Sequence, residues 1–142
     1  ETSCRPAVAP AFDRAVALLH SFSFSSSKRA FEAILVDDPS CAMAQWGIAM
    51  SEWGNPFAGM RSGAMLERGA AAAARGLATG TPTARERDYL AAVAELYKDH
   101  ATVDHRTRIV NYERAMAALH ATYPDDREAT AFYALAVMAI QK

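Results

Sequence analysis

A segment of the form aromatic-x-x-Ala-aliphatic-x-x-large recurs down the chain, and no other feature constrains the fold as much. Phe12-x-x-Ala15-Val16-x-x-Leu19, Trp46-x-x-Ala49-Met50-x-x-Trp53 and Tyr89-x-x-Ala92-Val93-x-x-Leu96 are three copies. Ala131-x-x-Ala134-Leu135-x-x-Met138 is a fourth, without its aromatic. Apolar residues at i, i+3, i+4 and i+7 line one face of an α-helix. From Phe12 to Trp46, Tyr89 and Ala131 the successive steps are 34, 43 and 42 residues. Pro39, Pro82 and Pro124 punctuate the chain just upstream of copies two, three and four. Self-similarity at such periods predicts an all-α fold, a helical-hairpin repeat solenoid in which neighbouring pairs bury a continuous core.

Composition agrees. Hydrophobic residues make up 51% of 142 residues, alanine is abundant and β-branched residues are sparse, which favours helix and argues against disorder. A net charge of -1 and the absence of a basic stripe predict no nucleic-acid partner. The longest apolar run, Ala129 to Ile140 with one threonine inside, is too short to span a bilayer.

Turn and cap signals divide the chain into about seven helices. Helix one is predicted from Ala7 to Ser21, followed by a serine-rich turn over Phe22 to Ser26 that caps helix two. Asp37-Asp38-Pro39 ends helix two, because the residue before proline avoids helical angles. Ser40 is expected to cap helix three, which closes at Gly54. Ser62 starts helix four and Gly80 stops it. Thr83-x-x-Glu86 and Asp125-x-x-Glu128 read as capping boxes for helices five and seven. Helix five is expected to end near Lys98, and Thr102 or Asp104 to start helix six, which runs to about Ala121. The pairs are 7–39, 40–81 and 82–123, with half a pair over 124–142; together they make one domain, expected to belong to a longer array.

At these residues the chain resembles the tetratricopeptide repeat, whose first helix reads W-x2-L-G-x2-Y and whose second reads A-x3-F before a proline. Phe12, Ala15, Val16 and Leu19 take the first pattern, and Ser27, Phe31 and Pro39 the second. Asp38-Pro39-Ser40-Cys41-Ala42-Met43-Ala44-Gln45-Trp46-Gly47-Ile48-Ala49, Leu18-Leu19-His20-Ser21-Phe22 and Tyr123-Pro124-Asp125-Asp126 are similar to a group of bacterial tetratricopeptide-repeat proteins, often exported and without an assigned activity. The resemblance covers nearly the whole chain. It departs from the family in its longer repeats and in extra residues around Lys98 to Asp104. It implies a non-catalytic scaffold that binds a protein or peptide segment on its concave face, with no cofactor.

Counted from the repeat, the concave face is lined by Asp13 and His20 on helix one. Gly47, Ser51 and Asn55 follow on helix three, and Arg87, Leu90, Tyr97 and Lys98 on helix five. His20, Asn55, Tyr97 and Lys98 fall at one end of parallel helices, where a lysine charge and directional donors suit a carboxylate or small anion. A small-anion or metal-sensing subunit is therefore the alternative function. Trp46, Met50 and Trp53 are read as core. Asp99-His100 and Asp104-His105 offer oxygen and nitrogen ligands, but residues five apart across a helix start need not converge, and Asp104 reads as a cap. Asp37-Asp38 reads as a helix-terminal turn, and Glu86, Arg87 and Asp88 as a solvated helix face. No nucleophile or metalloenzyme motif is present, so no enzyme is expected.

Two expectations follow from the array. Cys4 precedes helix one and Cys41 opens helix three; these equivalent helices lie parallel, so the two cysteines are expected to form a disulfide. That implies an oxidising compartment, exported or periplasmic, with the cytoplasm as the alternative if the pair stays reduced; a chain that begins Glu1-Thr2-Ser3-Cys4 reads either as a processed mature chain or as one whose front has been removed. Helix seven carries apolar residues on every side, so continuation beyond Lys142 is expected, or a homodimer through Phe132, Leu135 and Met138.

Overall fold

The computed structural model of the chain describes residues 1–141. A 3-10 turn, Pro6–Val8, leads into seven α-helices: α1 Ala9–His20, α2 Phe24–Asp37, α3 Ala42–Trp53, α4 Gly63–Thr79, α5 Ala84–Glu95, α6 His105–Thr122 and α7 Arg127–Ile140. There is no strand among the described residues, and no helix is long and apolar enough to cross a membrane. Each helix packs on the next one in the chain. In addition α1 lies against α3, and α3 against α5, as first helices of successive pairs do in a helical repeat.

The caps follow the sequence with three exceptions, the first at α2, where the serine-rich turn supplies no side-chain cap and Ser23 stands at the helix start without such a bond. Ser62 accepts from the Met65 N–H at 3.2 Å, Thr83 from Glu86 at 3.2 Å and Asp104 from Thr107 at 2.8 Å. Gly54 and Gly80, at φ +72° and +76°, close α3 and α4. For α7 the cap is Asp126, which takes the Glu128 and Ala129 N–H groups, so Glu128 is released for another role. The Ser40 hydroxyl donates to Asp38 at 2.8 Å and does not cap α3.

The helix buried on all sides is α3. Apart from Gln45 and Met50 every residue from Ala42 to Trp53 is buried. Trp46 is the hub of the core, with near-perpendicular ring contacts to Phe31, Tyr89 and Phe132 at 6.4, 5.6 and 5.4 Å. Gly47 lets α2 approach: a Cβ there would stand 2.4 Å from the Phe31 ring. The single carboxylate of α3, Glu52, is matched by Lys28 at 2.5 Å from α2 and Arg68 at 3.2 Å from α4. Burial disfavours its charge, but those two partners outweigh the penalty and hold its pKa below the ordinary value.

Residues 1–5 cross the helix starts as a strap. Cys4 and Cys41 are joined by a disulfide, with Cα atoms 4.9 Å apart, as the parallel packing of α1 and α3 predicts. On either side of Cys4 the strap supplies donors to buried carboxylates. Ser3 gives its N–H to Glu86 at 3.0 Å, and Arg5 gives its N–H to Asp38 at 2.8 Å. Glu86 also receives the Thr81 and Thr83 hydroxyls, at 2.8 and 2.5 Å. With 1% and 2% of their surfaces exposed, Glu86 and Asp38 belong to the interior. The expectation of a solvated Glu86 is corrected: its charge points to the strap and not to water.

The apolar face of α7 is spent inside the molecule. Ala129, Phe132, Ala136 and Ala139 are buried, and Phe132 reaches Trp46 and stacks on His20 at 4.8 Å. Phe132 is therefore not available to a second copy. Met138, 49% exposed, faces solvent, and Leu135 is half-buried.

Candidate functional site

The first and last helices meet across the face formed by α1, α3, α5 and α7. His20 Nε2 of α1 lies 2.5 Å from Glu128 Oε2 of α7, and the His20 ring covers Phe132. This bridge consists of side chains and stands between two depressions that share His20 as a wall.

On one side lies an apolar slot. Leu19, His20, Phe22, Phe24, Met50, Trp53, Gly54, Pro56, Leu96, Ile109, Tyr112, Phe132, Leu135, Ala136 and Ala139 line it. Its atom-free space is about 580 Å3, mouth included, and little of it is wide enough for a water molecule. The slot is thus narrow. Its polar side chains are His20 and Tyr112, and the Tyr112 hydroxyl is directed to Met50 Sδ at 3.8 Å. Burial pushes the Tyr112 phenol well above its usual pKa, so it stays neutral.

Phe22 is the unusual member of this wall. It sits at φ +59° between α1 and α2. The Phe22 N–H reaches the Leu19 carbonyl at 3.1 Å, and the Ser23 N–H reaches Leu18 at 2.9 Å. This is a Schellman helix stop with phenylalanine at the position where glycine is ordinary. A bulky left-handed residue costs roughly 1 kcal/mol or more. The ring thus held is 39% exposed, lies 5.2 Å from Phe24 and borders the slot.

Trp53, at the base of the slot, is fixed from several sides. Arg61 covers its ring at 4.4 Å, His105 stacks on it at 5.6 Å and Tyr97 meets it edge-on at 5.6 Å. Arg61 also ties the 54–62 loop together by donating to the Trp53, Asn55, Ala58 and Gly59 carbonyls. Arg108 does the same for the end of α5, bonding Leu96 O at 2.6 Å and Val103 O at 3.1 Å. Burial, with Arg61 and Arg108 nearby, holds the His105 pKa below its ordinary value.

On the other side of the bridge lies a wider, polar cup. Phe12, Met43, Trp46 and Tyr89 line it from the core, and Glu1, Asp13, His20, Arg85 and Glu128 supply its charged or ionisable groups. It holds about 840 Å3 of atom-free space, mouth included.

The predicted cluster of His20, Asn55, Tyr97 and Lys98 does not form. His20 is at the bridge and Asp13 in the cup. Ser51 is buried and donates to Gly47 O at 2.8 Å. Tyr97 is buried and donates to Ala49 O at 2.6 Å. Asn55 is in the exposed loop, its Oδ1 taking the Phe57 N–H at 2.8 Å. Arg87 donates to Thr81 O at 3.0 Å on the surface. Lys98 lies on an outer groove with Ala70, Ala73, Ala74 and Leu77, which the edge of Tyr97 also borders, so these two of the four predicted residues share a surface, away from His20 and Asn55. The prediction counted positions on ideal helices. In the fold α5 ends at Glu95 and tightens into turns, Leu96 N–H to Val93 O and Tyr97 N–H to Ala94 O, which swing Tyr97 inward. The α3 positions assigned to the groove are covered by Phe31 and Ser27 of α2.

Asp99, His100, Asp104 and His105 do not gather into a three-ligand group among the described residues; the trio that does, Cys4, Asp38 and Cys41, has its two sulfurs joined in the disulfide. Compared with known proteins, the chain matches no family model, no curated protein and no solved structure.

Proposed function

We propose that this chain is a non-catalytic, tetratricopeptide-like binding module that seats an apolar side chain of a peptide segment in the slot beside His20, and that it works in an oxidising compartment. The observation that carries this reading is Phe22. A helix stop built with phenylalanine is strained where glycine would relieve the strain, and the strained ring borders an apolar slot. Such outliers persist where the surroundings hold them in place, and they concentrate at ligand sites. The narrowness of the slot supports a side chain as its occupant, and the repeat pattern supports a peptide as its bearer. The disulfide supports the compartment.

Phe22→Gly separates site from scaffold. Glycine adopts the left-handed stop freely, so the variant is expected to keep or gain stability, by up to about 1 kcal/mol. Peptides selected from a random library on the parent protein are expected to bind it at least tenfold more weakly, as measured by calorimetry. Equal affinity in both proteins, or a selection that yields no binder, contradicts the reading.

A further inference from the structure

Phe24, Trp53 and Gly54 line the slot and also a more open hollow between α2, the end of α3 and the start of α4. Lys28, Arg61 and Arg68 bring three positive charges to this hollow, and Glu52 is the one carboxylate on its wall. Glu52 pairs with Lys28 and Arg68 together, so it cancels the charge of one and not of both. Both keep donors to spare. The Lys28 ammonium meets Glu52 alone, and Arg68 uses only Nε, which leaves its two Nη groups without a partner among the described residues. Arg61 stands apart from that trio. It is 9% exposed and makes no ion pair among the described residues. Its bonds go to the neutral carbonyls of Trp53, Asn55, Ala58 and Gly59. Of these, Trp53 O belongs to the C-terminal end of α3, which answers at most about half a charge. Burial holds the Arg61 pKa below its ordinary value, and the nearby Arg108 adds to the effect. A buried cation that no acid pairs is costly, and an anion brought to its edge relieves the cost.

We propose that this hollow is a second subsite, for a carboxylate: an aspartate or glutamate side chain on the peptide whose apolar side chain fills the slot. This rests on the slot reading and deepens it. The shared wall of Phe24, Trp53 and Gly54 sets the two subsites next to each other, so one short segment reaches both. Lys28 and Arg68, held in place by Glu52, give charge-assisted bonds through their spare donors. The Ser62 hydroxyl, which accepts from the Met65 N–H, keeps its own proton to donate. Arg61 contributes its field from within the wall. The same excess of positive charge repels a lysine or arginine at this position.

Three probes with one apolar chain and different heads test this: octanoate, octanol and octylammonium, each titrated below its aggregation limit at low salt, with amide resonances followed by NMR. All three are expected to shift Phe22 and Leu135, which border the slot alone. Only octanoate is expected to shift Ser25, Ser62 and Met65, which border the hollow alone, and to bind at least fivefold more tightly than octylammonium. Added salt is expected to weaken that preference. Arg68→Gln, in which Lys28 still pairs with Glu52, is expected to remove most of it, and Arg68→Lys, which restores the charge, to recover it. Equal binding of the three heads, with Phe22 and Leu135 shifting and Ser25, Ser62 and Met65 still, overturns the second subsite and leaves the slot reading standing. A preference that survives in Arg68→Gln overturns the assignment to these residues. Absence of shifts at Phe22 and Leu135 with every probe overturns both subsites.

Discussion

Replacing Cys4 and Cys41 together by alanine is expected to lower unfolding free energy by about 4 kcal/mol on the chain-entropy account of a closed loop with 37-residue separation. The loss does not stop at loop entropy. The bridge pins the strap whose N–H groups serve Glu86 and Asp38, so its release exposes two interior carboxylates to the loss of their donors. For Asp38 the Arg5 N–H bond is the main cause of a lowered pKa. For Glu86 burial acts against ionisation, and the bonds from Ser3, Thr83 and Thr81 overcome it. Both folded pKa values lie below their ordinary ones of 3.8 and 4.5. Their contribution is therefore complete above about pH 4.5 and is lost as pH falls through the folded values. The double variant is expected to unfold in less urea at neutral pH and at a less acidic pH than the parent. Urea titrations of the oxidised parent and the variant decide it, and a difference under 1 kcal/mol contradicts the pinned strap.

Trp46→Ala is expected to cost about 3–5 kcal/mol, the range for truncating a buried aromatic. The indole touches rings from α2, α5 and α7, so its removal loosens three packings at once. It also withdraws the edge on which Phe132 rests, and with it the bridge between slot and cup. Thermal and chemical denaturation measure the loss. A cost under 1.5 kcal/mol would show that Trp46 is not the hub described above.

Helices α1, α3, α5 and α7 were readable because they repeat the same apolar spacing, and the ends of α3, α4 and α5 because Gly54, Ser62, Gly80 and Thr83 mark them by local chemistry. The Cys4–Cys41 pairing was readable for the same reason, since parallel equivalent helices bring their starts together. The site was less so. Counting along ideal helices puts Ser51, Tyr97 and Leu90 on an inner face, whereas α5 tightens after Glu95 and α2 closes over α3. Those are tertiary effects with no local signature. Phe22 did leave a signal: an aromatic in the turn Ser21-Phe22-Ser23, where a helix stop calls for glycine. The meeting of α1 and α7 at His20, Glu128 and Phe132 spans 108 residues of sequence, and nothing in the repeat announces it.

The central claim is that the slot, and not another surface, seats an apolar side chain. Chemical-shift mapping of a library-selected peptide on the isotopically labelled protein tests it most directly. The account predicts that the largest shifts fall on Leu19, Phe22, Phe24, the Trp53 indole and Leu135. Shifts confined to Ala73, Leu77 and Lys98 on the outer groove of α4 and α5 would contradict it.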